Sequence, residues 1–142
     1  MSREEIRSIL DKCKTIAVVG LSRESTKESY IVSEHMQKHG FRIIPVNPFA
    51  DRVLGEKSYK SLSEIPENLK KRLDIVDVFR KAEDVPAVVE QAVKLKKKYG
   101  KPCVFWMQLG IVNHQAAEIA REVGMIVVMD KCLMREHRRL SK

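Results

Sequence analysis

A loop rich in hydroxyl and basic side chains follows an apolar run near the start of the chain. The run ends at Gly20, and serine, threonine, arginine and lysine side chains crowd the next seven residues. If a helix begins here, its free amides and its dipole attract an anion. The sequence therefore favours phosphate binding, and an ordinary helix start with solvent-facing cations is the alternative. The candidate donors are Ser22, Arg23, Ser25, Thr26 and Lys27.

The same loop lacks the glycines of a dinucleotide-binding fingerprint. In the pattern G-x-G-x-x-G, the second glycine lets a pyrophosphate approach the backbone and the third lets the helix pack closely on its strand. Ser22 and Ser25 occupy those two positions. Phosphate contacts would therefore come mainly from side chains, which disfavours a nicotinamide dinucleotide held by the backbone.

The second apolar run ends without an acidic residue. It reads Ile44-Pro45-Val46-Asn47-Pro48, whereas dehydrogenases that prefer the unphosphorylated cofactor carry Asp or Glu there for the ribose hydroxyls. The missing acid leaves room for a ribose phosphate. The two prolines equally suit the extended turn by which a chain leaves a strand. Candidate cations for the ribose phosphate are Arg23, Arg42 and Lys57.

Aromatic and amide side chains end the third and fourth apolar runs. After Val78 come Phe79 and Arg80, which could stack on a flat ring or contact a phosphate. The fourth run ends in Trp106-Met107-Gln108-Leu109-Gly110. An aromatic ring and an amide suit adenine or an amide-bearing arm, but Trp106 could equally fill the core.

Catalytic patterns are scarce. His35 and His39 are spaced i,i+4 and could share a metal ion, but no third ligand accompanies them in sequence, so exposed helix histidines are the favoured interpretation. Cys132 could pair with His114 or His137 as a nucleophile, and a buried thiol is the favoured alternative. Neither a P-loop nor a G-x-S-x-G elbow occurs.

Length and composition indicate one globular domain over residues 1–142. The chain is 44% hydrophobic and 32% charged, and a chain of this size can bury roughly 70% of its unfolded surface. Its apolar runs are far shorter than the roughly 20 residues of a membrane helix, and its first residues are acidic rather than an apolar leader. We therefore expect a cytoplasmic protein. Three cysteines without a C-x-x-C pair argue against a disulfide framework or a zinc knuckle.

The net charge of +8 favours anionic partners. Only residues 94–98 and 135–142 form basic stretches without frequent acids, and solvated helix faces explain both. One alternative function is a nucleic-acid-binding module that uses these two stretches. Another is an NADP-dependent oxidoreductase that uses the loop residues described above.

Five short apolar runs alternate with helical patterns along the chain. The runs occupy 15–20, 42–46, 74–78, 103–107 and 125–129. Continuous apolar runs are typical of strands covered on both faces. The alternation predicts an α/β, Rossmann-like doubly wound fold with a five-stranded parallel sheet and helices on both faces. Ligands of such folds bind beyond the carboxyl ends of the strands.

Local signals set the expected helix ends. Ser25 and Glu28 match a capping box, Asn113 suits an N-cap, and Gly100 suits the left-handed residue after a last turn. The expected helices cover 2–12, 25–40, 84–100 and 113–124, and a shorter helix opens at 61–64.

Five motifs follow one another along the chain, each at the end of an expected strand. They are Ile16-Ala17-Val18-Val19-Gly20-Leu21-Ser22, Ile44-Pro45-Val46-Asn47-Pro48, Val76-Asp77-Val78-Phe79-Arg80, Trp106-Met107-Gln108-Leu109-Gly110 and Val128-Met129-Asp130-Lys131-Cys132. Together they resemble the small stand-alone CoA-binding proteins, a family related to the nucleotide-binding domain of the succinyl-CoA synthetase alpha subunit. The resemblance covers residues 9–137.

The resemblance implies a Rossmann-like fold that binds coenzyme A in the crevice at the strand ends, with the ADP half on the first two loops. The implied contacts are Gly20, Ser22, Arg23 and Lys27 for the phosphates, Asn47 and Pro48 for the ribose phosphate or adenine, Val78, Phe79 and Arg80 in the third loop, and Trp106, Met107, Gln108 and Gly110 toward the pantetheine arm. Synthetases of this kind carry a phosphohistidine in a further domain, so we expect no synthetase activity from this chain by itself. The leading hypothesis is a non-catalytic carrier, sensor or partner subunit that binds CoA or acyl-CoA, with a protein partner or a second copy possible.

Overall fold

Residues 1–140 are described by a computed structural model of the chain. The helices are α1 (Arg3–Lys12), α2 (Glu28–Lys38), α3 (Glu67–Lys70), α4 (Val85–Tyr99), α5 (His114–Glu122) and α6 (Leu133–Leu140), with 3-10 turns at Leu62–Glu64 and Ala82–Asp84. The strands are β1 (Thr15–Val19), β2 (Arg42–Val46), β3 (Arg52–Val53), β4 (Glu56–Lys57), β5 (Ile75–Val78), β6 (Val104–Met107) and β7 (Ile126–Val128).

Five strands form one parallel sheet in the order β2-β1-β5-β6-β7. The chain first moves outward from β1 to β2, then crosses back to β5 on the other side of β1. This reversal between β1 and β5 is the topological switch point, where the loops after the two strands diverge and leave a crevice. The expected Rossmann-like fold with a five-stranded parallel sheet is confirmed.

Alternate strand residues face two separate apolar layers, as a strand period of two requires. Ala17, Val76 and Phe105 point into one layer with α4 and α5, and Ile16, Ile75 and Trp106 point into the other with α1, α2 and α6. Both faces of the sheet are therefore covered, which is why the strands are nearly continuous apolar runs. Within residues 1–140, no helix combines the length and apolar character needed to cross a membrane.

The local capping signals agree with the structure in part. Asn113 accepts a hydrogen bond from the backbone N–H of Ala116 at 2.9 Å, and Gly100 ends α4 with a φ of 76°, as expected. The capping box expected at Ser25 is wrong, because α2 begins only at Glu28 and no side chain caps it. Ser61 likewise leads into a 3-10 turn without a side-chain cap.

The sequence does not predict the small antiparallel hairpin of β3 and β4. The helix α6 covers most of the basic stretch 135–142, for which a solvated helix face is the favoured interpretation, although no helix bounds are predicted there. Its apolar residues Leu133 and Leu140 are spaced seven apart, so helical periodicity was a signal for it. The last two residues of that stretch, 141 and 142, lie outside the described residues.

Candidate functional site

A cleft of about 250 Å³ opens at the carboxyl ends of β1, β2 and β5, at the switch point. Its walls come from the loops after these strands, from the segment before α3 and from the first turns of α4. The lining residues are Val19, Gly20, Val46, Pro48, Lys60, Ser61, Leu62, Arg80, Asp84, Ala87, Val88 and Gln91. The structure thus brings Gly20, Pro48 and Arg80, which are far apart in sequence, to one cavity.

Gly20 fixes the floor of this cleft. Its φ is +90°, a backbone region that side chains rarely adopt, and an added Cβ would collide with the carbonyl oxygen of Phe79. Its N–H donates to the carbonyl of Val46 at 2.9 Å, and the N–H of Phe79 donates to the carbonyl of Val19 at 2.8 Å. These contacts hold the exits of three strands together, so glycine is needed here for close approach of two loops.

The loop after Gly20 is ordered by its serines. The Ser22 N–H donates to the hydroxyl of Ser29 at 3.0 Å, and the Ser22 hydroxyl accepts from the N–H of Glu24 at 3.0 Å. This arrangement takes the place of the expected capping box, and it leaves the N-terminus of α2 without a side-chain cap.

The other candidate donors of this loop face solvent. Arg23, Ser25 and Lys27 are exposed, and Lys27 lies 3.9 Å from the Glu24 carboxylate. None of them, nor Ser22, lines the cleft described above. Their contact with a phosphate remains a prediction, in which the cations would reach a ligand at the open side of the loop.

Asn47 is engaged in holding loops together. Its side-chain amide donates to the carbonyl of Leu21 at 2.9 Å, and its side-chain oxygen accepts from the N–H of Phe49 at 2.8 Å. Its backbone N–H donates to the carbonyl of Tyr59 at 2.9 Å. In this structure, Asn47 therefore positions the wall of the cleft, while its neighbour Pro48 is exposed and lines it.

Two cations face the cleft. Arg80 lies on the loop after β5, the third loop of the sequence analysis, and forms a long, half-exposed ion pair with Asp84 at 3.5 Å. Lys60 lies in the segment that follows the β3–β4 hairpin. Sequence reasoning missed Lys60 and Ser61, because the return of that segment to the strand ends depends on an unanticipated hairpin and on the pairing of Val46 with Tyr59.

A second cavity, of about 380 Å³, lies beyond the third loop. Its walls are Glu28, Phe79, Gln108, Leu109, Ile111 and Arg135. Phe79 and Arg80 are consecutive residues, so a single loop separates this cavity from the cleft. An elongated ligand that crosses the third loop would contact both.

The fourth motif divides between the core and the surface. Trp106, Met107 and Val78 are completely buried, and the Trp106 indole N–H donates to the carbonyl of Lys131 at 2.8 Å. The Trp106 side chain therefore lies in the core, which is the alternative interpretation of this residue, and its contact with a ligand stays a prediction. Gly110 is exposed, and its N–H donates to the carboxylate of Asp130 at 2.6 Å.

Gln108 is buried and held from below by a carboxyl group that sequence reasoning did not assign a role. The Gln108 amide donates to Oδ1 of Asp77 at 2.8 Å, and Asp77 is completely buried. Oδ2 of Asp77 has no hydrogen-bond partner among residues 1–140. Burial raises the pKa of Asp77 to about 7, although the hydrogen bond from Gln108 opposes this shift. An Asp between the apolar residues of β5 was the sequence signal for this pair.

Comparisons with known proteins agree with this architecture. The family model described as "CoA binding domain" matches residues 14–138. An uncharacterized protein of Bacillus subtilis, YneT, is 43% identical over 136 residues, which cover 96% of this chain and 94% of that protein. A solved structure of a hypothetical protein from Pyrococcus horikoshii superposes with a TM-score of 0.90 at 37% identity, covering 100% of this chain and 94% of that one.

A further relative is much longer than this chain. The acetate–CoA ligase (ADP-forming) of Methanocaldococcus jannaschii is 27% identical over 126 residues, which cover 84% of this chain but 17% of the ligase. The match over residues 14–138 and the near full-length relative at 43% identity together show that the chain belongs to the CoA binding domain family.

Proposed function

We propose that the chain binds coenzyme A across the carboxyl edge of its sheet. In this proposal, the ADP half occupies the cleft above Gly20 and the pantetheine arm crosses the third loop into the second cavity. The observation that supports it most is the cleft itself, at the switch point of a parallel sheet and flanked by Arg80 and Lys60.

Charge and size support the same ligand. The cleft volume of about 250 Å³ lies just below the range of roughly 300–1,000 Å³ that is usual for small-molecule sites, so it suits one part of an extended ligand. Exposed Arg23, Lys27 and Lys81 surround the loops that bear the cleft. Their positive charge complements a ligand with three phosphate groups.

Exposed apolar side chains add a second argument. Phe49 is 85% exposed on the loop after β2, and Leu109 is 52% exposed on the loop after β6. Both side chains lie on loops at the carboxyl edge of the parallel sheet, where ligands of such folds bind. We infer that Phe49 covers the adenine and that Leu109 lies along the pantetheine arm.

The cellular role that we propose is that of a carrier, sensor or partner subunit for CoA or acyl-CoA. The ligase from Methanocaldococcus jannaschii combines a region similar to this chain with a much larger remainder. Incubation of acetyl-CoA with the purified chain should leave the thioester intact, as followed by thiol release. Steady turnover would contradict the non-catalytic role without contradicting CoA binding.

Isothermal titration with four ligands tests the binding proposal. CoA should bind more tightly than dephospho-CoA, because only CoA carries the ribose phosphate, and both should bind more tightly than NAD. NADP serves as a matched comparison, since it carries a ribose phosphate but no pantetheine arm. Equal affinities for CoA, dephospho-CoA and NAD would overturn the proposal, and tighter binding of NADP would favour the oxidoreductase alternative.

A further inference from the structure

Three histidines meet at the amino edge of the sheet, opposite the cleft. His35 and His39 lie one turn apart on α2, and His137 lies on α6, which packs against α2. His39 is followed closely by Phe41 and the first residue of β2, which places the cluster where the strands begin. The sequence shows only the i,i+4 pair of histidines, and the packing of α6 against α2 brings the third histidine, His137, to them.

The geometry of the cluster is that of a nearly formed metal site. The three ring centroids lie 4.2 to 5.0 Å apart, and one ring nitrogen from each residue lies within 4.8 Å of the other two. Nε2 of His35 and Nδ1 of His137 are 2.9 Å apart. Tetrahedral ligation at about 2.0–2.1 Å separates two nitrogens by about 3.3 Å, so only small side-chain rotations are needed.

The surroundings orient two of the rings. Nδ1 of His39 donates to the carbonyl of His35 at 2.7 Å, which leaves Nε2 of His39 with a free lone pair. Metal-binding histidines are commonly oriented by such a bond from the other ring nitrogen. Phe41 packs edge-on against His137 at 5.7 Å between centroids.

An ion can reach the cluster from solvent. His39 is exposed, and it lines a surface cavity of about 150 Å³ together with His137. Arg7, Lys14 and Asp11 line the same cavity, and Arg138 is near His35. The positive side chains repel a metal ion that is attracted by charge alone. A metal ion at this cluster must therefore be held by direct ligation from the imidazole nitrogens, and Asp11 supplies a negative charge on the same cavity wall.

We propose that His35, His39 and His137 bind one Zn²⁺, or a similar borderline transition-metal ion, and thereby link α2 to α6. Three imidazoles and no carboxylate among the closest ligand atoms select zinc, cobalt, nickel or copper over magnesium and calcium. Three protein ligands leave a fourth position for water on the solvent side. The site is separate from the CoA cleft, so the two proposals stand independently.

The test uses protein purified without a polyhistidine tag, stripped with a chelator and titrated with Co²⁺ and Zn²⁺. We expect one ion per chain and the visible absorption bands of nitrogen-ligated Co²⁺. The absence of a sulfur-to-cobalt charge-transfer band would exclude Cys13, Cys103 and Cys132 as ligands. Because the fold brings His137 to His35 from 102 positions away, the ion should bind the folded state more tightly than the unfolded chain, and Zn²⁺ should raise the midpoint of thermal unfolding.

The chain contains its own matched control, since His114 is exposed on α5, away from the cluster. His39→Ala and His137→Ala should each weaken Zn²⁺ binding at least about 100-fold, or about 2.7 kcal/mol, and His114→Ala should leave it unchanged. Because His39 is exposed, His39→Ala should fold normally by circular dichroism. Equal affinity of wild type and the His35, His39, His137 triple alanine variant, or equal losses in His114→Ala and His39→Ala, would overturn the proposal.

Discussion

Replacing Asp77 by Asn should change how stability depends on pH, because Asp77 is a carboxyl group buried in the central strand β5. One carboxyl oxygen accepts a hydrogen bond from Gln108, and the other has no partner in the described part of the chain. Burial therefore raises the pKa of Asp77 from 3.8 to about 7. Asn has nearly the same shape and keeps an oxygen for Gln108, but it does not titrate.

The size of the effect follows from this difference in pKa between the unfolded and folded states. A carboxyl group with a raised folded-state pKa binds its proton more tightly when folded, so its stability contribution is complete below the unfolded pKa. That contribution is lost as the pH rises through about 7. At about 1.4 kcal/mol per pKa unit, the full loss is about 4 kcal/mol, of which about 3 kcal/mol falls between pH 5 and pH 8.

Urea unfolding at pH 5, 6, 7 and 8 measures this loss, and the fluorescence of Trp106, the only tryptophan and completely buried, reports the transition. The stability of Asp77→Asn relative to wild type should rise by about 3 kcal/mol from pH 5 to pH 8. The burial of a new amide N–H adds a constant cost, which the pH series removes. A difference that stays the same at pH 5 and pH 8 would refute the reasoning.

Asp74→Asn is the matched control. Burial acts to raise the pKa of Asp74, but hydrogen bonds from the Lys101 side chain and from the backbone of Lys14 and Thr15 outweigh it and lower the pKa. The stabilising contribution of Asp74 is thus present above the unfolded pKa and is lost only as the pH falls through the lower folded value. Between pH 5 and pH 8, Asp74→Asn should therefore be destabilising by a nearly constant amount.

Three further predictions concern the cleft. Gly20→Ala should destabilise the fold by at least about 1–3 kcal/mol. The loss should exceed that of Gly55→Ala, because Gly55 also has a positive φ but an added Cβ there has no described atom within 4 Å. Equal losses of unfolding free energy in urea would argue against the contact with Phe79. Arg80→Ala should weaken CoA binding about fivefold, as expected for about 1 kcal/mol at an exposed ion pair, and the loss should shrink at high salt. Arg121 is an exposed arginine on α5, so Arg121→Ala should bind CoA like wild type. Equal affinities of the two variants by calorimetry would show that Arg80 does not contact the ligand. The double variant Arg23→Ala, Lys27→Ala should weaken CoA binding in a salt-sensitive way, and an unchanged affinity would show that the loop cations do not reach the ligand.

Local sequence signals specified most of the secondary structure. The strands at 42–46 and 75–78 and the caps at Asn113 and Gly100 depend on residues within one element or one turn, so propensity and periodicity were sufficient. The strand-end motifs also located the cleft, because the carboxyl ends of parallel strands lie at one edge regardless of strand order. The capping box predicted at Ser25 is wrong although its local pattern matches, because α2 begins only at Glu28 and the loop before it is held by the hydrogen bond from the Ser22 N–H to Ser29.

Tertiary structure decided which side chains face the cleft and which neighbours they contact. A strand covered on both faces buries Trp106 whether or not it precedes a binding loop, and only the fold brings the carbonyl of Lys131, 25 positions away, to accept its N–H. The fold likewise brings His137 to His35, 102 positions away, and Gln108 to Asp77 across adjacent strands. Such partners are set by the order of crossovers and by the layers that helices form on the sheet. A short stretch of sequence determines neither the order of crossovers nor the helix layers, because both depend on burial of the whole apolar surface at once.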